Sequence, residues 1–537
     1  MIKKTFLILF LICLFSLFLN SYKKSGNLCL NADEAALGYN TYSIAQTGKD
    51  EYATSFPLRL KSFGDYKMPL YSYFSVPFIG TLGLNETSTR GLNDLLSFVF
   101  TIVIFFFVRE LFKNDNIALV SSFLVALSPG LHLLSRQAHE SYLAVVLITL
   151  SSLWFIKTIR SPSVINTLTL STLSLLSLFT YQSSRIFIIF LIIAGAIYQL
   201  HGKSKNKRGG KIIFATLLSV FILFSLTDII YKPERVKNLF FFNNIGFSLK
   251  INEFRAEGGS RLLYNKLTTG FRDLTSEYTK YFSPQFLISD GDENPRFGFA
   301  DLGLMTPLEY LFLFIGLYFI FRYKERWRIF LLTLLLISPL SASLTWAGLS
   351  ITRSLFLLVA ILIIASYGLI KFFEVQRKNR NVLIIVFIAI ELFFLIYSWD
   401  LYINHYPKRP ITIRAEQCGY KELADYVRTN YERFDKFYIT KKHGQPYIFL
   451  LFYLEYPPGL YQKQARLSSA DQYGFGQVEK FDKFDFNFNY DRNVNNAVFI
   501  GYPDDFNNLK INKEKIKKIK VNGEEIFWIY ENPQIKR

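Results

Sequence analysis

The sequence predicts an all-α polytopic membrane protein with a small α/β domain at its C-terminal end, and three observations lead there. Hydrophobic residues make up 51% of the 537 and charged residues only 19%, and the apolar ones gather into runs near the ~20 residues that cross a hydrocarbon core. With Met1 on the cytoplasmic side, the inner connections hold nineteen basic residues against four acidic ones. The excess of positive charge expected on that side accounts for most of the formal +19 and calls for no nucleic-acid partner. Residues 400–537 lack such runs and are long enough to fold as a unit.

The runs fall at 5–22, 91–112, 117–135, 140–157, 164–181, 184–200, 211–230, 307–322, 329–346, 351–370 and 381–399, about eleven spans. In the first, Lys3 and Lys4 precede an apolar core from Phe6 to Leu19, and Asn20-Ser21-Tyr22-Lys23-Lys24 offers no small-x-small cleavage site, so an uncleaved anchor is expected. An odd number of spans then leaves 23–90, 231–306 and 400–537 outside. The expected division is a membrane domain over 1–399, with outer loops 23–90 and 231–306, and an extracytoplasmic domain over 400–537. In the latter, Glu422–Glu432 has helical spacing, while Phe437–Thr440, Ala497–Gly501 and Ile526–Tyr530 read as strands. Three cysteines, Cys13, Cys29 and Cys418, are too few and too scattered for a disulfide framework or a zinc site, although Cys29 and Cys418 both fall in outer segments.

The chemistry concentrates in the first outer loop. Asn31 followed by Glu34 is a capping-box pattern and Gly48 a stop, so a helix is expected over 32–47, lying along the membrane interface. Asp33 and Glu34 form a carboxylate pair at the outer end of an apolar helix, which marks a candidate site. A helix cap and a favourable helix dipole account for the same two residues without chemistry. Further on comes Gly64-Asp65-Tyr66-Lys67-Met68-Pro69-Leu70-Tyr71. Lys67, Arg136 and Arg353 are outward cations suited to an anionic group, and snorkelling to the interface is the competing reading of each. Asp33, Glu34 and Asp65 carry the oxygen donors for one divalent cation such as Mg or Mn, and metal dependence stays open. In the second outer loop, Asp290-Gly291-Asp292-Glu293-Asn294 lacks the spacing of a calcium loop and reads as a solvated turn.

These motifs, in this order, resemble the protein O-mannosyltransferase and aminoarabinose-transferase group of the C superfamily of glycosyltransferases (GT-C), which includes the dolichyl- or polyprenyl-phosphate-mannose protein mannosyltransferases of glycosyltransferase family 39. Members typically show an acidic residue or pair after the first span and a Lys-Pro-Pro-Leu-Tyr-like motif about thirty residues on. Met68 replaces its first proline, while Lys67, Pro69, Leu70 and Tyr71 match. Ser135-Arg136-Gln137-Ala138-His139-Glu140 is similar to the family's Arg-to-acid segment before the fourth helix, with Glu140 where an aspartate is usual. The resemblance covers roughly 1–400. It implies a GT-C fold in a bacterial plasma membrane and catalysis by Asp33 and Glu34. It also implies donor-phosphate contacts from Lys67, Arg353 and Arg136, with Asp65, Glu140 and Tyr71 as further site residues.

Topology asks for the same chemistry. Nucleotide sugars are cytoplasmic, so an outward acidic site needs a donor that has already crossed, a polyprenyl-phosphate sugar. The acceptor is a hydroxyl of a protein, lipid or glycan. Asp33 would take its proton as it attacks the anomeric carbon with inversion. Two rivals remain: a lipid-linked-sugar flippase or transporter, for which no paired halves are visible, and a noncatalytic membrane protein that binds a partner through 400–537. The Trp-Trp-Asp-Tyr-Gly hallmark of oligosaccharyltransferases is absent.

Overall fold

The computed structural model describes residues 2–24, 26–63, 65–202, 204–231, 239–298, 301–376, 378–468, 478–491, 494–509 and 511–533. Its contacts divide the chain into two compact units, Met1–Tyr22 with Asn93–Tyr402, and Lys23–Leu92 with Ile403–Arg537. The first outer loop, read from the sequence as part of a membrane domain over 1–399, therefore packs with the C-terminal residues.

The first unit is helical. Its elements are α1 (Ile2–Ser21), the greater part of α4 (Glu86–Phe112), α5 (Asp115–Leu127), α6 (Pro129–Ser135), α7 (Glu140–Arg160), α8 (Val164–Leu178), α9 (Ser184–His201), α10 (Ser204–Tyr231), α11 (Ile245–Ala256), α12 (Lys266–Lys280), α13 (Pro307–Arg322), α14 (Arg328–Ile337), α15 (Leu340–Ser343), α16 (Ile351–Ser354), α17 (Phe356–Val375) and α18 (Arg380–Asp400). Among the described residues seven helices are long and apolar enough to cross a membrane, or eight if α5 and α6, bent by 61°, make one span. This corrects the expected eleven. The runs at 164–181, 307–322 and 329–346 fold as helices of 15, 16 and 10 residues, short of the ~20 needed. The last is cut off by Pro339, which separates α14 from α15.

Helix α17 is buried at every position from Phe356 to Leu369, as expected of a helix that is apolar all round. It meets α13 through two glycines: a Cβ on Gly316 would stand 2.1 Å from the Ile364 carbonyl oxygen, and one on Gly368 2.5 Å from the Gly316 nitrogen. Small residues at both positions let the backbones touch.

The second unit holds α2 (Ala32–Thr47), a hairpin of β1 (Leu60–Ser62) and β2 (Asp65–Lys67), α3 (Leu70–Leu82), the first turns of α4 and the C-terminal residues. In the latter, α19 (Pro410–Ala415), α20 (Tyr420–Asn430), β3 (Lys436–Ile439), α21 (Pro446–Tyr453), α22 (Pro458–Gln464), β4 (Arg466–Leu467), β5 (Val478–Phe481), β6 (Phe484–Asp485), β7 (Ala497–Gly501), β8 (Lys517–Val521) and β9 (Glu524–Asn532) follow in order. The strands form an open seven-stranded sheet, order β4-β5-β6-β3-β7-β9-β8, in which β3 runs parallel to both neighbours. The predicted helix and three strands are all present, as α20, β3, β7 and β9. One aromatic core joins sheet and outer loop: Ala35 and Tyr39 of α2 pack with Tyr447, Phe449 and Phe452 of α21 and with Tyr461.

A disulfide between Cys29 and Cys418, 389 residues apart, closes this unit. Three cysteines read as too few and too scattered for a disulfide framework nonetheless supply one bond, since folding brings the Cα atoms of the two in outer segments to 5.4 Å.

Candidate functional site

The first turn of α2 is built as its sequence predicts. The Asn31 Oδ1 accepts from the Asp33 and Glu34 amides, both at 3.1 Å, and the Glu34 carboxylate accepts from the Asn31 amide at 3.4 Å. Gly48 ends the helix at φ +68°. Contacts from the C-terminal residues hold this turn in place. Asn31 Nδ2 donates to Glu416 at 3.0 Å, and the Ala32 amide to Gln417 at 3.2 Å.

The two adjacent carboxylates diverge from here. Glu34 is buried and receives a two-pronged pair from Arg90, Nε to Oε1 at 2.8 Å and Nη2 to Oε2 at 2.7 Å. Arg90 also donates to the carbonyls of Leu28 and Cys29. Sequence reasoning missed this partner because the span was read from residue 91, one position beyond it. The Asp33 carboxylate is 45% exposed and lies 2.6 Å from Lys67 Nζ. Lys67 itself is mostly buried, with its ammonium over the Phe63 ring. It sits on the β1–β2 hairpin, opposite Leu60. Hairpin and helix start thus bring together residues 34 positions apart.

Behind Lys67 is an acid that no motif announces. Glu51 is 2% exposed, and neither carboxylate oxygen has a hydrogen-bond partner among the described residues, although its amide donates to Asn40 Oδ1 at 3.0 Å. Burial, then the charge of Asp50, pushes its carboxyl up to about 8, with Asn40 and Lys67 pulling the other way. The buried phenols of Tyr39, Tyr447 and Tyr461 lie within its field and are pushed up too, mainly by burial.

The other expected site residues are more dispersed. Tyr71 is buried in the first turn of α3. Asp65 lies in β2, and its side chain falls outside the described residues. In the helical unit, Arg136 is 2% exposed and donates to the carbonyls of Leu19, Asn20 and Tyr22 at 2.8–2.9 Å. Its guanidinium packs over Trp399 and Tyr402. It thereby caps the C-terminal end of α1, where a cation meets the negative end of the helix dipole. Glu140 opens α7 beside His139.

Arg353 lies in the single turn α16 and donates to Thr345 Oγ1. It belongs to a polar group around Asp292, which is buried rather than the expected solvated turn. Asp292 accepts from the Ile351 amide at 2.6 Å and the Asn294 amide at 2.8 Å. Burial pushes its carboxyl up to about 6, against those amides and the Arg353 charge.

Among the described residues no three His, Cys, Asp or Glu side chains group as metal ligands. Asp33 and Glu34 face Lys67 and Arg90, where a metal would need their oxygens on one centre. Asp33 and Glu34 thus share no cation site in this arrangement, and the side chain of Asp65, the third oxygen donor considered, lies outside the described residues.

No protein-family model and no curated protein sequence matches this chain. Solved structures do. The archaeal oligosaccharyltransferase AglB from Archaeoglobus fulgidus, in complex with an inhibitory peptide and a dolichol-phosphate, aligns at TM-score 0.50 and 12% identity over 83% of this chain and 63% of that one. ArnT from Cupriavidus metallidurans in the apo state aligns at TM-score 0.53 and 11% identity over 98% of both. The chain spans less than two thirds of the archaeal protein's length. At these identities the likeness is one of fold: this is a several-span helical membrane protein with an open sheet domain, similar in fold to the archaeal AglB and to ArnT.

Proposed function

We propose that the chain is a glycosyltransferase that moves a sugar from a polyprenyl-phosphate donor to an acceptor hydroxyl at the outer face of the membrane. Asp33 is the general base and Lys67 the cation at the donor phosphate. The observation that carries this reading is the Asp33–Lys67 pair, a half-exposed carboxylate held 2.6 Å from a cation that is itself nearly buried. A hydroxyl bound at Asp33 passes its proton to the carboxylate as its oxygen bonds to the anomeric carbon. The carbon–oxygen bond to phosphate breaks on the opposite side, the configuration inverts, and polyprenyl phosphate leaves with the bonding electrons. Its negative charge is met by Lys67 as that ammonium exchanges Asp33 for the phosphate. Glu34 acts through position, with Arg90 and Asn31 fixing the turn that aims Asp33. Arg136, engaged with α1, shapes the scaffold. Two facts support an outer site. A disulfide joins the acidic loop to the C-terminal residues and belongs to an oxidising compartment, and an even number of crossings must separate two segments so joined. The AglB structure holds a dolichol-phosphate, the class of lipid carrier assigned to this donor.

The noncatalytic reading accounts for Glu34, whose contacts are those of a cap and a buried ion pair, and leaves the exposure of Asp33 unexplained. The deciding experiment incubates the full chain, in lipid, with a panel of polyprenyl-phosphate sugars and follows release of polyprenyl phosphate. Turnover with at least one donor, lost in Asp33→Asn, is the expected result. Transbilayer movement of the lipid without cleavage would sink the reading in favour of a flippase.

A further inference from the structure

A second polar site lies in the helical unit, where α4 and α7 end and the connection from α13 to α14 passes. It is an open cavity of about 660 Å³ whose polar walls are Glu110, Lys113, Lys157, Arg160, Glu325 and Arg326. The two acids are already engaged. Glu110 is shared between Lys113, at 2.8 Å, and Arg160, and Glu325 accepts the Tyr367 hydroxyl at 2.6 Å. The cations are held by indoles. Lys157 Nζ stands 4.1 Å from the centre of the Trp154 ring, and Arg160 and Arg326 both pack on Trp327, at 5.4 and 5.6 Å. Neither Lys157 nor Arg326 has a carboxylate within ion-pair distance among the described residues. Positive connections are general on this face. Cations fixed on aromatic faces around one cavity, two of them without a carboxylate at ion-pair distance among the described residues, are not.

We infer that this cavity binds the phosphate of an anionic glycerophospholipid from the leaflet at the C-terminal ends of α4 and α7. An oxyanion supplies the negative charge that Lys157 and Arg326 face across the cavity. The lipid is the source because Leu111 and Phe112 line the same cavity at the end of an apolar span, where headgroups and acyl chains meet. The site does not depend on the glycosyltransferase reading.

The test reconstitutes the full chain in nanodiscs of phosphatidylcholine containing a minor fraction of phosphatidylglycerol and counts retained lipids by native mass spectrometry. Retention of phosphatidylglycerol over phosphatidylcholine is expected, falling roughly tenfold in the Lys157→Ala/Arg326→Ala double variant. Arg322→Ala/Lys324→Ala, an equal loss of charge on two exposed residues outside the cavity, should leave it unchanged. A wild-type chain without headgroup preference overturns the inference, as does an equal loss in Arg322→Ala/Lys324→Ala, which would reduce the effect to general surface charge. Millimolar inorganic phosphate provides the other arm: if it binds as well without lipid and displaces phosphatidylglycerol, the ligand is a soluble oxyanion and the lipid assignment fails. The wild-type arms do not require the double variant to fold.

Discussion

Asp33 and Glu34 are neighbours in sequence and opposites in the fold. Each faces one cation at under 3 Å, yet the Glu34–Arg90 pair is 2% exposed on both sides, while Asp33 is 45% exposed. Burial decides what each carboxylate can do. A pair closed off from water is held by geometry and hydrogen bonds, and breaking it leaves an uncompensated charge inside. A pair with one open face can exchange its partner, which is what the roles proposed for Asp33 and Lys67 require.

The largest expected effect tests that difference in activity. Asp33→Asn keeps the size of the side chain and removes its capacity to accept a proton, so turnover should drop by roughly 10²–10⁴-fold. Circular dichroism and the unfolding midpoint should stay near those of the parent. Glu34→Gln is the matched comparison: if it loses as much activity while remaining folded, the two acids share one chemical role and the contrast collapses.

Behind the pair, Glu51 adds a pH dependence. In the unfolded chain its carboxyl titrates near 4.5, and in the folded protein it is pushed up to about 8. The folded state therefore binds the proton more tightly. That stability is fully present below pH 4.5 and is lost as pH rises through 8. Thermal unfolding of parent and Glu51→Gln from pH 5 to 9 should show a gap that widens in favour of the variant up to about pH 8 and then levels off. Asp50, Lys67 and the tyrosines Tyr39, Tyr447 and Tyr461 are the groups within its field, and the phenols titrate above this window. A constant gap would mean that Glu51 is solvated.

Local signals in the sequence carried far, and pairings across the chain did not. Asn31, Glu34 and Gly48 foretold α2 from 32 to 47 because a capping box and a left-handed stop are set within one turn of the backbone. The membrane class was legible in apolar runs for a similarly local reason. The span count was not: hydropathy does not register where the chain turns after Leu178 or at Pro339, and the 307–322 run was counted as a span although its 16 residues fall short of one. Arg90, Glu51 and the Cys29–Cys418 bond depend on contacts between segments up to 389 residues apart, and no spacing rule reaches them. Asp33 and Lys67 were each legible as candidates, and their pairing only through the fold.

Stability sharpens the comparison in the opposite direction from activity. Arg90→Ala removes one side of a buried, doubly hydrogen-bonded pair and should cost about 3–5 kcal/mol, read as a fall in the denaturation midpoint.

The smallest effect belongs to Asp33→Asn, at about 1 kcal/mol. Three terms set it. The ion pair is open to water on the carboxylate side, where such pairs contribute about 0–1 kcal/mol. The amide oxygen can still accept from Lys67 Nζ, so the hydrogen bond changes character without vanishing. The negative charge in the first turn of α2 adds about 0.3–1 kcal/mol through the helix dipole, and that is lost. Salt separates the two pairs further: with a Debye length of about 3 Å at 1 M, screening should erase most of the Asp33→Asn cost and leave the Arg90→Ala cost largely intact. If instead Asp33→Asn destabilises as much as Arg90→Ala, and equally at low and high salt, then Asp33 is a structural charge like its neighbour and the open face has no functional meaning.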